Sequence, residues 1–401
     1  MTLILHNSGS HSKMKILFAV HTYYPDKNGV QMVTEYIAEG VAKQHDVEML
    51  VGISASKKES IGRYPKYEEH NGVKIHRIHA ELSNNHIFIG DKKEYISQIH
   101  REDIDMLVVI CTQSWPFDWI IPELDRIRCK KVLYSHGFSA YRDQYPLVQD
   151  VLGGHFNAFR DHLYWKHYYK ECYKHLQRFD LVTYLSKSSS SYKYSLEHNL
   201  LNGVLLGNAV EESMFDNCSL EHIDESVEGM KYIYIANYDA NKNHMMLLHA
   251  FYEAAGYADT LTMIGSMGSD FYDALVKENN ILSNDGEDTR VKILFGVDRQ
   301  GIREALEYSD VFVCTSLHEE FPLMLCEAAA KGLGIISSDV GNASEFDGIV
   351  TFSDYNGLCS AIKSYTYETR IVSGRKLRKY AEQNFRIDDK VKVFLEYIAS
   401  V

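Results

Sequence analysis

The 401-residue sequence has no apolar stretch near the ~20 residues that a membrane-crossing helix needs. Runs such as Met106–Cys111 are far shorter. Nor does it have an excess of base: 42 Lys and Arg stand against 55 Asp and Glu, a formal net charge of −13. That balance excludes the basic stripe needed for non-specific binding to nucleic-acid phosphates, though not a small basic pocket for one phosphate-bearing ligand. There is no CxxC pair. The seven cysteines (Cys111, Cys129, Cys172, Cys218, Cys314, Cys326 and Cys359) are scattered and odd in number. Neither a zinc site nor a disulfide framework is expected, and reduced thiols in a cytoplasmic protein fit best. The start is not basic and its short apolar stretch ends at His6-Asn7, so no signal peptide is expected. Residues 1–13 read as a flexible tail. No repeat of 20–50 residues occurs, and no low-complexity tract beyond Ser186–Ser191.

What is present is ordinary globular composition, 45% apolar and 24% charged, over a length that favours two domains. Met14–Val20 reads as a buried parallel strand. A loop with Pro25, Asn28 and Gly29 follows, then an apolar helical spacing of Val33, Tyr36, Ile37 and Val41, then a strand over Val47–Val51. That is the opening of a parallel α/β domain. The pattern starts again at Lys231, with strands over Tyr232–Ala236, Leu261–Ile264, Val291–Phe295, Val311–Cys314 and Gly334–Ser337. The predicted organisation is α/β: two Rossmann-like domains, 14–206 and 230–385. A polar, acidic hinge over 207–229 separates them, and a last helix within 386–401 either completes the second domain or crosses back to the first.

The most informative stretch runs from Ser316 to Gly332. Pro322 fits the first turn of a helix, where a missing N–H costs nothing. The preceding strand ends near Thr315, so the helix N-terminus points into the crevice at the strands' carboxyl ends. Free backbone N–H groups there favour an anion such as a diphosphate. Glu319 and Glu327 lie eight positions apart around that helix end. Carboxylates only accept hydrogen bonds and vicinal hydroxyls donate them, which suits a phosphate flanked by sugars.

On these residues the sequence resembles the retaining family-4 glycosyltransferases (glycosyl transferases group 1) of the GT-B fold. Ser316, Glu319, Phe321, Glu327, Ala328, Ala330 and Gly332 match that family's motif. So, in order, do Gly29-Val30, Ser186, Asn208-Ala-Val210, Lys242-Asn243, Gly265–Gly268, Gly296, Asp310 and Gly341–Glu345. The resemblance implies two Rossmann-like domains facing across a cleft, the N-terminal one on the acceptor side and the C-terminal one binding the nucleotide sugar. It implies that Glu327 binds ribose hydroxyls and that Glu319 faces the transferred sugar. The backbone from Phe321 through Pro322 and Leu323 to Met324 would hold sugar and phosphate with its N–H groups. Lys242 would neutralise the leaving diphosphate. Gly29 and Val30 would approach the same phosphate, and His136, after the strand Lys131–Tyr134, would lie near the sugar.

Three departures stand out. The family's Gly-Arg pair is Ala236-Asn237 here, so one cation of the clamp at the Asn237 position is missing, with Arg299 or Arg303 as a substitute. Glu320 replaces a glycine and adds negative charge, and Gly334 stands past a usual proline. Asp103-Ile-Asp105 precedes its strand and reads as a solvated turn, so no metal and no cofactor are expected. The aromatic and basic stretch Phe156–Phe179 reads as a helix with its aromatic stripe packed inward, with a peripheral contact to a membrane or lipid-linked acceptor as the rival. The expected activity is metal-independent transfer of a hexose-type sugar from a nucleotide-diphosphate sugar to a glycan or lipid-linked acceptor in polysaccharide synthesis. A sugar-nucleotide epimerase of the same fold and a non-catalytic sugar-nucleotide-binding protein are the alternatives.

Overall fold

A computed structural model describes residues 13–26, 29–54, 64–83, 86–138, 141, 156–222 and 228–401. The expectation of a tail over 1–13 lies outside these residues except at Lys13, as does Asn28 of the first loop. The chain forms two compact units. The first comprises the residues up to Thr183 with Ser195–Val204 and Val393–Val401; the second comprises Tyr184–Tyr194 and Leu205–Lys392.

The first unit is built on β1 (Lys15–Val20), α1 (Gly29–Ala42), β2 (Asp46–Ile53), β3 (Tyr67–His70), β4 (Val73–Leu82) and β5 (Phe88–Gly90). Then come α2 (Lys92–Ile99), β6 (Met106–Ile110), α3 (Trp115–Ile120), β7 (Lys130–Tyr134), α4 (Phe156–Leu176), β8 (Leu181–Tyr184), α5 (Ser190–Glu197), whose residues up to Tyr194 belong to the second unit, and β9 (Gly203–Leu205). The sheet runs β3-β4-β2-β1-β6-β7-β8-β9, with β5 on β4. β1 pairs in parallel with both β2 and β6. β1 and β6 carry near-continuous apolar runs and are buried almost throughout, the signature of parallel strands covered on both faces.

In this unit the sequence pattern missed β3 and β5. β3 is a polar edge strand, Tyr-Glu-Glu-His, that alternates between exposed and half-buried. It is held by its antiparallel register to β4 and not by apolar content. The last helix, α12 (Ile387–Ala399), changes unit within its length. Phe394 lies 6.4 Å from the ring of Phe18 and 6.1 Å from that of Tyr134.

The second unit carries β10 (Lys231–Ile235), α6 (His244–Ala254), β11 (Thr260–Gly265), α7 (Asp270–Leu282), β12 (Val291–Phe295), α8 (Arg299–Glu307) and β13 (Val311–Cys314). It continues with α9 (Leu323–Ala330), β14 (Gly334–Ser338), β15 (Ile349–Phe352), α10 (Tyr355–Ser364) and α11 (Tyr367–Asn384). Its strand order is β12-β11-β10-β13-β14-β15, and its neighbouring strands pair in parallel. In order of appearance that is 3-2-1-4-5-6, the Rossmann order, whose direction reverses between β10 and β13.

The stretch expected as a hinge is not a loose linker where it is described. Met214 and Phe215 are buried in the core of the second unit. Lys331 donates from Nζ to the Asp216 carbonyl at 2.5 Å, and Arg378 donates to the Phe215 carbonyl at 2.6 Å. Its acidic composition pointed to solvent, but the contacts are made by its few apolar residues and its backbone oxygens.

Candidate functional site

In a sheet of this order, ligands sit beyond the carboxyl ends of the strands where the order reverses. Here that point lies past Ile235 and Cys314. Beyond β10, Asp239 accepts hydrogen bonds from the backbone N–H groups of Asn241 and Lys242 and caps a short 3-10 turn. Asn243 then takes a left-handed conformation, φ 50° and ψ 42°, and opens α6. The tail of this turn is clamped to the neighbouring strand. The Lys242 carbonyl accepts from the Tyr234 hydroxyl at 2.9 Å and from the Thr315 hydroxyl at 3.0 Å. Leu317 donates its N–H to the Asn241 carbonyl at 2.7 Å, and the Asn241 side chain donates to the His318 carbonyl at 2.9 Å. The backbone of Lys242 is thereby fixed to the loop that carries Glu319. Their side chains meet, with Lys242 Nζ 2.5 Å from Glu319 Oε1. Two residues 77 positions apart, each singled out from sequence, form one ion pair at the reversal point.

Pro322 sits one residue earlier than the sequence implied. It is the N-cap of α9, φ −68° and ψ 109°, and its carbonyl accepts from Leu325. A residue with no N–H is well suited to either position, which is why sequence did not separate them. The next N–H groups, of Leu323 and Met324, have no partner inside the helix and carry its positive pole. The loop from Gly341 closes over this end. Gly341 has φ +56°, and a Cβ there would lie 2.9 Å from Pro322 Cδ and within 3.3 Å of the Glu319 and Glu320 carbonyls. Gly341→Ala is therefore expected to cost about 1–2 kcal/mol, the scale of a left-handed non-glycine residue, and to disturb the Glu319 loop. Chemical denaturation checks this, and a variant as stable as the parent would contradict it.

Glu327 is 2% exposed and faces Arg299. The guanidinium makes a two-pronged contact at 2.6 and 3.0 Å. Burial pushes the Glu327 carboxyl up from its ordinary value, and Arg299 opposes that shift. Arg299 also reaches Glu211 at 2.9 Å, and Glu211 holds Arg303 at 3.1 Å. Arg299 and Arg303, expected as substitutes for the missing clamp cation, are thus turned to carboxylates in this structure. An arginine fork matches a carboxylate better than it matches empty space, and the sequence contained no sign of which anion it would find.

Asn237 is exposed at the end of β10 and accepts from the Ser266 hydroxyl at 2.7 Å. The Glu320 carboxylate accepts from the Ser190 N–H at the start of α5, at 2.9 Å, and lies 3.4 Å from His318. Its charge serves a helix N-terminus, where an anion is stabilising, and so is not simply added to the Glu319 loop. The Asn208 side chain donates to the Phe321 carbonyl at 3.3 Å, and Gly207 lies against the Phe321 ring.

In the other unit, Gly29 and Val30 are exposed and already helical, the first residues of α1 and not a loop before it. His136 has φ 49° and stacks on Tyr134 at 4.2 Å. Burial lowers its pKa to about 3, so the ring is neutral, and its Nε2 has no partner among the described residues. Asp103 pairs with Lys15 and Arg101, and Asp105 accepts from the Lys15 N–H. The stripe expected on α4 packs inward at Tyr169, Cys172 and Leu176, while Lys166 and Lys170 stay exposed. Sequence reasoning missed Tyr234 and Thr315 as parts of the site. Tyr234 and Thr315 looked like strand residues, and only the register of β10 against β13 brings them to Lys242.

Residues 230–365 match the family described as glycosyl transferases group 1. Among curated relatives, a GDP-mannose:cellobiosyl-diphosphopolyprenol alpha-mannosyltransferase of Xanthomonas oryzae pv. oryzae is 22% identical over 356 residues, 82% of this chain and 79% of that protein. An uncharacterised 41.2 kDa protein from the cps region of Klebsiella pneumoniae is 23% identical over 206 residues; the match spans 50% of this chain and only 54% of that protein. Among solved structures, sucrose-phosphate synthase from Thermosynechococcus elongatus superposes with a TM-score of 0.72 at 14% identity, covering 97% of this chain and 100% of that one. HepE of Anabaena, solved with UDP and glucose, gives 0.67 at 15% identity with the same coverage. The chain has the GT-B fold, and its residues 230–365 are similar to the group 1 glycosyl transferases.

Proposed function

We propose that this chain moves a hexose-type sugar from a nucleoside-diphosphate sugar to an acceptor hydroxyl, with anomeric configuration retained, in surface-glycan or polysaccharide synthesis on the cytoplasmic side. The observation that carries the reading is the Lys242–Glu319 pair, at the strand-order reversal and four residues ahead of the start of α9. In this reading the diphosphate takes Glu319's place on Lys242, and the freed carboxylate faces the sugar. As the bond from the sugar to the diphosphate breaks, charge grows on the leaving phosphate beside the Lys242 ammonium and the N–H groups of α9. Glu327 accepts from the ribose hydroxyls.

Retention and the hexose type rest on the motif resemblance. A nucleotide-sugar donor is supported by the ligands of the Anabaena structure, and a lipid-linked acceptor by the name of the Xanthomonas relative. Peripheral membrane contact is supported by exposed Leu82, Ile87, Ile89 and Leu163, beside Lys166 and Lys170 of α4. The His86 ring, stacked on Tyr164, ties the two segments together.

A thermal-shift screen against a panel of nucleotide sugars tests the donor, because a ligand that prefers the folded state raises its stability. Transfer assayed with the selected donor is expected to persist in excess EDTA. Complete loss on EDTA, restored by manganese or magnesium in the reaction mixture, would overturn the metal-independent mechanism.

A further inference from the structure

The sequence reading found no metal-ligand spacing, yet the fold assembles a donor set far from that reading's focus. Glu35 and Glu39 lie four apart on α1, which puts both carboxylates on one face. His70 ends β3. Ligand atoms of the three side chains all lie within 4.8 Å of one another. We propose that Glu35, Glu39 and His70 form a binding site for one divalent transition cation, zinc or manganese, that clips the β3–β4 hairpin to α1.

The ligands are rigidly carried. His70 is fixed by a two-residue turn, Asn71-Gly72, with φ 48° and 81°. Positive φ at both positions is what the tight hairpin turn demands, and Asn-Gly is the pair that best supplies it. His70 therefore pairs in register with Val73, and β4 in turn pairs with β2. The turn abuts the helix that bears the carboxylates: a Cβ on Gly72 would sit 3.6 Å from that of Ala42. The Tyr24 ring stacks on His70 at 3.7 Å and limits its rotation.

A cation would relieve the repulsion of like charges at i and i+4 on a helix. Nearby, Tyr23 is 1% exposed with its hydroxyl unpartnered among the described residues; burial pushes the phenol up, and Glu39 and Glu35 push it the same way. Around Glu39 stand the Asn71 amide, which donates to it at 3.0 Å, and the His70 ring at 3.6 Å. Two carboxylate oxygens with one imidazole nitrogen suit zinc or manganese, the remaining positions going to water.

The test uses the full chain stripped with EDTA and titrated with zinc chloride or manganese chloride alone, followed by calorimetry and thermal melting. One equivalent is expected to bind, and the melting midpoint should rise by a few degrees when the metal stands about a hundredfold above its Kd. Glu35→Gln and His70→Ala should each abolish that binding while melting like the parent in EDTA, which shows that they fold. Because the clip lies outside the transfer site, His70→Ala should still transfer sugar. Absence of stoichiometric binding overturns the proposal, and so does binding that survives both substitutions.

Discussion

Lys242→Ala is expected to slow sugar transfer by about 10²–10³-fold, the range seen when one preorganised donor to a developing charge is removed. The donor's ground-state affinity should fall by less, because most of the charge on the diphosphate appears only as the glycosidic bond breaks. The geometry sharpens the expectation. The Lys242 backbone is held by Tyr234, Thr315 and Asp239, so truncating its side chain removes an ammonium without releasing the turn. It also leaves Glu319 unpaired beside the anion site. Comparing kcat with a calorimetric Kd separates the two effects, and full activity in the variant would mean the phosphate site lies elsewhere. The converse substitution is Asn237→Arg. Asn237 is exposed and its side chain accepts from the Ser266 hydroxyl, so a longer cation there is structurally tolerable. It should tighten nucleoside-diphosphate binding.

Glu327→Ala is expected to weaken nucleotide binding by about 1.5–3 kcal/mol, the range for hydrogen bonds to a charged group, or roughly 10–150-fold in Kd. Arg299 keeps Glu211 as a partner, so the fold should survive. Arg299→Gln gives a second, independent reading through pH. Burial raises the Glu327 pKa and Arg299 lowers it. Without the guanidinium the carboxyl binds its proton more tightly and stays neutral to higher pH, where it is a poorer acceptor. Nucleotide binding by Arg299→Gln should therefore strengthen as pH rises, more steeply than in the parent. Calorimetry across a pH series checks this, and an unchanged Kd in Glu327→Ala would sink the ribose assignment.

The order of strands and helices was legible because parallel strands buried on both faces must be apolar throughout, as in β1, β6 and β13. Glu319 and Glu327 were legible as candidates because a helix start after a strand, with carboxylates on either side, is a local pattern of residues, whereas Lys242 was picked out by the family resemblance. β3 was not legible: its Tyr-Glu-Glu-His composition is polar, and only pairing with β4 makes it a strand.

By itself the sequence determined an α/β chain with two Rossmann-like halves, a helix that starts after Pro322, and a carboxylate on either side of that start. It did so because backbone period and helix-start chemistry act over a few neighbouring residues. Tertiary structure decided which charges meet. Lys242 found Glu319 across 77 positions, Arg299 found Glu327 instead of a phosphate, and Glu320 turned to the N-terminus of α5. It also brought His70 to Glu35 and Glu39. A side chain's charge is written in the sequence, but its partner depends on strand order and register, which set distances between residues far apart in the chain. Coulomb energy falls with distance and with exposure to water, so those distances, and not composition, select the pairs.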